Sequence, residues 1–304
     1  MNKVLAGFTL LFSLNAMGAS WQITFPRPLE TTSTIDEYPL QVLALALDET
    51  GVNYQLKPSE NLLSKGKALG RLQDNREINI VWGVTNLQRE KDLLPIRIPI
   101  FKGLSGWRLL LIREDMAERF KYIQELDHLV KLSPLQGRDW PDTKVLQSNG
   151  FDVITERSQK NLLSMLDKAQ GDFFPRSIIE IWEELAKSET QTPIQVQPTI
   201  GIRYPSAIYF FVNKKSVPLA SLIERGLEKA IKNGKFEALF NENYKIYVDK
   251  AQIENRTFYQ LRNTFLPEET QFDRKELWFD GKINPCDADY KSYLSYGNFN
   301  DKTI

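Results

Sequence analysis

The sequence predicts an α/β protein folded as a two-lobed clam, each lobe a small sheet flanked by helices and the two joined by two crossovers. Three observations carry that prediction. Strand-like and helix-like segments alternate in two successive series, the pattern of βαβ units. The chain has 304 residues, too many for one comfortable core and enough for two ordinary domains. Its composition, 42% apolar and 26% charged, is that of a globular protein.

The first series opens with the strand "WQITF" and a polar loop, "PRPLETTSTIDE". A helix follows in "YPLQVLALALDETG", where Leu40, Leu43, Ala44 and Leu47 share a face and Gly51 suits the stop. Pro39 is tolerated only in that helix's first turn. "NYQLK" reads as a strand, "NLLSKGKALGRLQD" as a weaker helix and "INIVWGV" as a buried strand. "GWRLLLI" is a further strand, and "REDMAERFKYIQEL" a helix with Met116, Phe120 and Ile123 on one face. The second series begins at "LVKLSPLQG" and runs through helix "PDTKVLQSNG", strand "FDVIT", helix "SQKNLLSMLDKAQG", short strand "DFFP" and helix "RSIIEIWEEL". "TPIQVQPTIGIRYPSAIYFFV" supplies one or two strands, and "PLASLIERGLEKAIKNG" a long amphipathic helix stopping at Gly234. The tail from Ala251 reads as helical at first and then as polar and aromatic. The expected organisation is a leader over 1–19, a first lobe over 20–104 plus 208–279, a second lobe over 105–207 and a loosely ordered tail over 280–304.

Composition excludes several kinds of chemistry. The 39 basic and 39 acidic residues cancel, so no overall field argues for nucleic acid or an anionic membrane. Cys286 is the only cysteine and His128 the only histidine, which removes internal disulfides, thiolate clusters and polyhistidine zinc sites. No nucleophile elbow, P-loop or dinucleotide fingerprint is present, and no cofactor is expected. At the N-terminus Lys3 precedes an apolar run from Val4 to Ala16, and "AMGAS" offers small residues for cleavage near Gly18 or Ala19. That is the pattern of a secretory signal peptide, without the cysteine a lipid anchor needs. The expected location is the periplasm.

The leader, the order of elements, "VTNLQRE" after a buried strand, "LQGRDW" opening the second series and "IERGLEKAIKNGKFEALFNENY" near the end resemble the family 3 extracellular solute-binding proteins. The resemblance spans residues 20 to 250 and implies the type II periplasmic-binding-protein fold, with a solute held between lobes and delivered to an ABC importer. It also implies roles for particular residues. Arg89, with Thr85 four residues before it, stands where the family holds a carboxylate; guanidinium matches that group with a planar fork. A salt bridge to Glu90, Asp92 or the tail is the plainer alternative. Gln136, Arg138, Asp139 and Trp140 occupy the second anion-facing turn around Gly137, and Pro141 suits the first helical position. Arg138 and Asp139 replace the family's small hydroxyl residues, and Arg138 either binds an anion or pairs with Asp139 or Asp142. Asp172 matches the strand aspartate, but Ser177, beside Arg176, stands where the ammonium-binding aspartate belongs. A cation there repels an ammonium, so the expected solute is polar and anionic. Arg27, Glu30 and Tyr38 lie in the first loop region, with Tyr38 able to stack on a ligand.

The expected function is that of an exported, monomeric solute-binding protein with no chemistry of its own. Its partners would be a small polar solute and a membrane permease or receptor. A periplasmic sensor module is one alternative. A binding-fold dehydratase is another, with Glu180 or His128 as acid or base.

Overall fold

A computed structural model describes residues 20–27, 34–187 and 189–281. The leader, Glu30, Cys286 and the tail beyond residue 281 lie outside them. No described helix is long and apolar enough to cross a membrane.

In the first lobe, β1 (Trp21–Arg27) pairs in parallel with β2 (Tyr54–Leu62). Between them runs α1 (Thr34–Thr50), and after β2 comes α2 (Lys65–Gln73), whose N-terminal N–H groups are capped by Ser64. β3 (Val81–Val84), α3 (Leu87–Asp92) and β4 (Leu94–Ile96) follow. β3 and β4 flank β10 (Ile208–Val212), which is antiparallel to both. The chain enters the second lobe through β5 (Trp107–Arg113). There α4 (Ala117–Phe120) and α5 (Leu126–Val130) precede β6 (Leu135–Gly137), α6 (Pro141–Ser148) and β7 (Ile154–Glu156). α7 (Gln159–Asp167), β8 (Phe174–Ser177), α8 (Ile181–Ala186) and β9 (Ile194–Arg203) complete it. The chain returns through β10 to α9 (Val217–Lys232) and α10 (Lys235–Ala251), and β11 (Thr257–Gln260) then joins the edge of β9. The resulting sheet has the order β11-β9-β5-β8.

Four sequence expectations shift. α1 begins ahead of Pro39, which lies inside the helix and removes the N–H that would bond back to Ile35. Its buried face is Tyr38, Val42, Leu43, Ala46 and Leu47, so the apolar stripe is rotated from the one through Leu40 and Ala44. The "REDMAERFKYIQEL" helix is only a 3₁₀ turn and one short turn of α-helix, although Phe120 and Ile123 are buried as expected. β8 reaches Ser177, so Arg176 and Ser177 are strand residues and not the start of a helix. The tail segment 257–260, expected with the first lobe, is a strand added to the second lobe's sheet.

Apolar packing explains why the helices sit where they do. α9 lays Leu219, Leu222, Ile223, Leu227 and Ala230 against α1 and the first sheet. A Cβ on Gly226 would overlap the backbone of Ala46, so glycine is what lets α1 and α9 approach this closely. Burying side chains of this size contributes about 1.5–3 kcal/mol each.

Candidate ligand site

A polar cluster lies inside the second lobe where β5, β8, α6 and the end of β9 meet. Arg108 of β5 and Arg176 of β8 are each 4% exposed. Arg108 pairs with Ser177 and Leu109 with Arg176 on adjacent antiparallel strands, so the two arginines leave opposite faces of the sheet, and it is Glu180 that both reach. Arg176 donates through Nε to Glu184 Oε2 at 2.6 Å, and its Nη2 forms an ion pair with Glu180 Oε2 at 3.0 Å. Arg108 pairs with Asp142, the second residue of α6, and lies 3.6 Å from Glu180. The Tyr204 hydroxyl also donates to Asp142. Burial pulls the Arg176 guanidinium down, but the charges of Glu180 and Glu184 more than offset it, and the group is held above its ordinary range. Burial pushes the Glu184 carboxyl up, against the pull of Arg176. Two buried cations thus face three carboxylates, which is how proteins keep guanidinium groups out of water.

The aromatic packing around Arg176 is equally specific. Its guanidinium lies 4.6 Å from the Trp140 ring and 5.1 Å from that of Phe174, and the two rings stack at 22°. Trp140 in turn lies on Gly137, where a Cβ would overlap the indole. The glycine of "LQGRDW" is therefore a packing requirement.

The sequence-predicted residues separate into three groups. Gln136, Trp140, Arg176 and Ser177 are inside the second lobe. The Ser177 hydroxyl donates to Leu104 O at 3.0 Å, tying β8 to the crossover before β5. Gln136 is fully buried, and neither its amide oxygen nor its nitrogen has a partner among the described residues. Arg138 and Asp139 are exposed at the turn into α6, with the Arg138 N–H donating to Glu156 O at 2.9 Å.

Thr85 and Arg89 remain in the first lobe, as does Tyr38. Thr85 is 2% exposed and donates to Glu90 at 2.6 Å, and Glu90 also accepts from Arg97 Nε at 3.0 Å. Arg89 does not project from its turn. Its side chain folds back over Gly83, donates to Val84 O and lies 5.7 Å from the Phe211 ring. That is the sheet face shared by Val81, Tyr209 and Phe211, which packs against Ala68 and Leu72 of α2. Among the described residues no carboxylate pairs with Arg89, and burial pulls its guanidinium down. Tyr38, expected to stack on a ligand, is instead core, 4.8 Å from Tyr244 and 5.1 Å from Phe101. Burial holds its hydroxyl well above the phenolic range. His128 lies 3.5 Å from Glu125 at the surface end of α5.

Sequence reasoning missed Glu180 as a binding residue, took Asp142 only as a possible partner of Arg138, and missed Arg108 and Glu184 altogether. Glu180 is the member of the cluster whose side chain is most accessible, at 27%. It also lies within electrostatic range of Tyr244 on α10 of the first lobe. The arginine–glutamate spacings 176/180 and 176/184 were the available signal. They read as one helix face until β8 is known to extend to Ser177.

No family model matches the chain, and no curated protein matches it. Solved structures do. The BvgS periplasmic VFT2 domain of Bordetella pertussis is 15% identical, covering 74% of this chain and 93% of its own, with a TM-score of 0.53. A histidine kinase sensor domain with similarity to periplasmic binding proteins is 12% identical, covering 75% and 96%, with a TM-score of 0.54. An arginine third transport system periplasmic binding protein from Legionella pneumophila is 14% identical, covering 74% and 100%, with a TM-score of 0.54. The chain has the two-lobed α/β fold of the periplasmic binding proteins.

Proposed function

We propose that this protein is an exported solute-binding module that takes an amino-acid-like solute between its lobes and presents it to a membrane partner. The observation that carries the reading is Glu180. It is a partly accessible carboxylate, held beside two buried arginines, and its charge adds to the burial that keeps the Tyr244 hydroxyl of α10 above the phenolic range. The argument for a purely anionic solute falls with Arg176, whose charge Glu180 and Glu184 neutralise internally. Glu180 suits a solute's ammonium or guanidinium group. Arg138, exposed at the turn into α6, is left for its carboxylate. In the transport reading the partner is an ABC importer; the Legionella pneumophila neighbour is a periplasmic binding protein of an arginine transport system. In the sensor reading the partner is a receptor; one neighbour of the same fold is itself a histidine kinase sensor domain.

Thermal-shift screening of the mature protein tests this, with basic, neutral and acidic amino acids and dicarboxylates, and with Glu180→Gln and Arg138→Ala in parallel. A solute at a hundred times its Kd adds about 2.7 kcal/mol, a midpoint rise of a few degrees. The expected result is a shift with a cation-bearing amino acid that Glu180→Gln abolishes. A shift with dicarboxylates alone, untouched by Glu180→Gln, would overturn the assignment.

A further inference from the structure

The two-lobed fold needs the chain to pass between its lobes twice, here at residues 97–106 and 204–207 on either side of β5 and β10. The segment after α10 adds two more passages. It leaves the first lobe at Ala251, adds β11 to the second lobe's sheet with Thr257 opposite Ile200 and Gln260 opposite Arg203, and then comes back.

Each stage of this path is fixed by hydrogen bonds and burial. On the second lobe, the Tyr259 hydroxyl donates to Ile123 O at 3.1 Å. Arg262 exchanges a pair of bonds with the Asn149 side chain at the end of α6, at 2.8 and 2.9 Å. Over the crossover, Asn263 Nδ2 donates to Pro205 O at 2.8 Å. On the first lobe, Phe265 O accepts from Leu87 N at 3.2 Å, and Phe279 N donates to Lys102 O at 2.7 Å. Arg274 makes a two-pronged pair with Glu228 of α9, Nη2 to Oε2 at 2.9 Å. The ring edge of Trp278 abuts Gly103, where a Cβ would come within 2.7 Å of the ring and φ is +76°. Phe279 packs on Trp107, the first residue of β5, and on Phe240 of α10.

Hinge closure in a two-crossover protein needs only a few backbone rotations. With this path, opening also requires breaking bonds to a sheet edge, to α6 or to α9. We propose that residues 252–281 form a strap that fixes the separation of the lobes, so that opening requires residues 265–281 to detach from the first lobe. The strap holds the binding module at the lobe separation of this structure before any solute arrives. Release of a solute is then limited by strap detachment. This goes beyond the binding reading and is tested without any solute, so either can fail alone.

The test measures the distance between spin labels at Lys67→Cys on α2 and Lys160→Cys on α7, both exposed positions, in a Cys286→Ser background. A protease recognition sequence between Glu268 and Glu269, which are exposed, allows the strap to be cut after folding is complete. The expected result is one narrow distance before cutting and a broader distribution reaching longer distances afterwards. Asn149→Ala with Asn263→Ala, in an uncut chain without the insertion, is expected to give an intermediate broadening. A broad distribution in the uncut, unsubstituted strap, or a narrow one that survives both cutting and the double substitution, would overturn the proposal.

Discussion

Arg176 and Arg89 each lie beside a strand end in a chain of zero net charge, yet the fold treats them in opposite ways. Arg176 is buried with Glu180 and Glu184 against it and two aromatic rings over it. Arg89 has a backbone carbonyl and one ring. The contrast shows in the direction of each guanidinium, up for Arg176 because carboxylates offset its burial, down for Arg89 because none does. A buried cation without a counter-charge costs free energy that the rest of the fold must offset. The second lobe therefore stakes its packing on a matched ion cluster, and the first lobe on apolar contact.

The sharpest way to break this comparison is to remove one side of the matched pair. Glu184→Ala is expected to destabilise the protein by about 3–5 kcal/mol in urea unfolding, because Arg176 stays buried with only Glu180 near it. A loss of under about 1 kcal/mol, the range of exposed pairs, would show that the cluster is wet enough to need no matching. Replacing both partners, Arg176→Met with Glu184→Leu, should cost less than Glu184→Ala alone, because no charge is stranded. A cost equal to the sum of the single changes would place the energy in packing and not in charge. Arg89→Met should cost about 1 kcal/mol, the size of one net hydrogen bond, and leave the solute-dependent thermal shift in place. Loss of that shift would return Arg89 to the ligand.

The smallest effect concerns acid. Gln191 and Thr192 donate backbone N–H groups to Asp167 at 3.0 and 2.8 Å, holding its carboxyl below the ordinary range. Its folded pKa is below its unfolded value of about 3.9, so its contribution is present above that pH. It is lost as pH falls through the folded pKa. Stability curves of Asp167→Asn and the parent are expected to differ near neutral pH and converge in acid. Parallel curves would show that these two bonds do not depend on charge.

Most of the architecture was legible because it rests on local periodicity. The alternation of segments, the buried run around Ile80 and the long helix ending at Gly234 each come from near-neighbour patterning. The site was less legible. Tyr38 looked like a loop aromatic because Pro39 suggested that the helix began there, whereas α1 begins ahead of it and turns Tyr38 onto Tyr244. Arg176 was read as a cation at the start of a helix, whereas it is on a strand and Glu180 and Glu184 come back over it. Glu180 was noticed only as a suspect acid.

The sequence by itself determined the α/β class and the two series of elements, since each follows from composition or from spacing within one segment. The tertiary structure alone decided which arginines are neutralised, which carboxylate is left accessible and where the tail runs. The arginine partners depend on β8 reaching Ser177, and the tail's path on contacts between residues more than a hundred positions apart, such as Arg262 with Asn149 at a separation of 113. No local pattern encodes such pairings, because their free energy arises only when distant segments share one buried space.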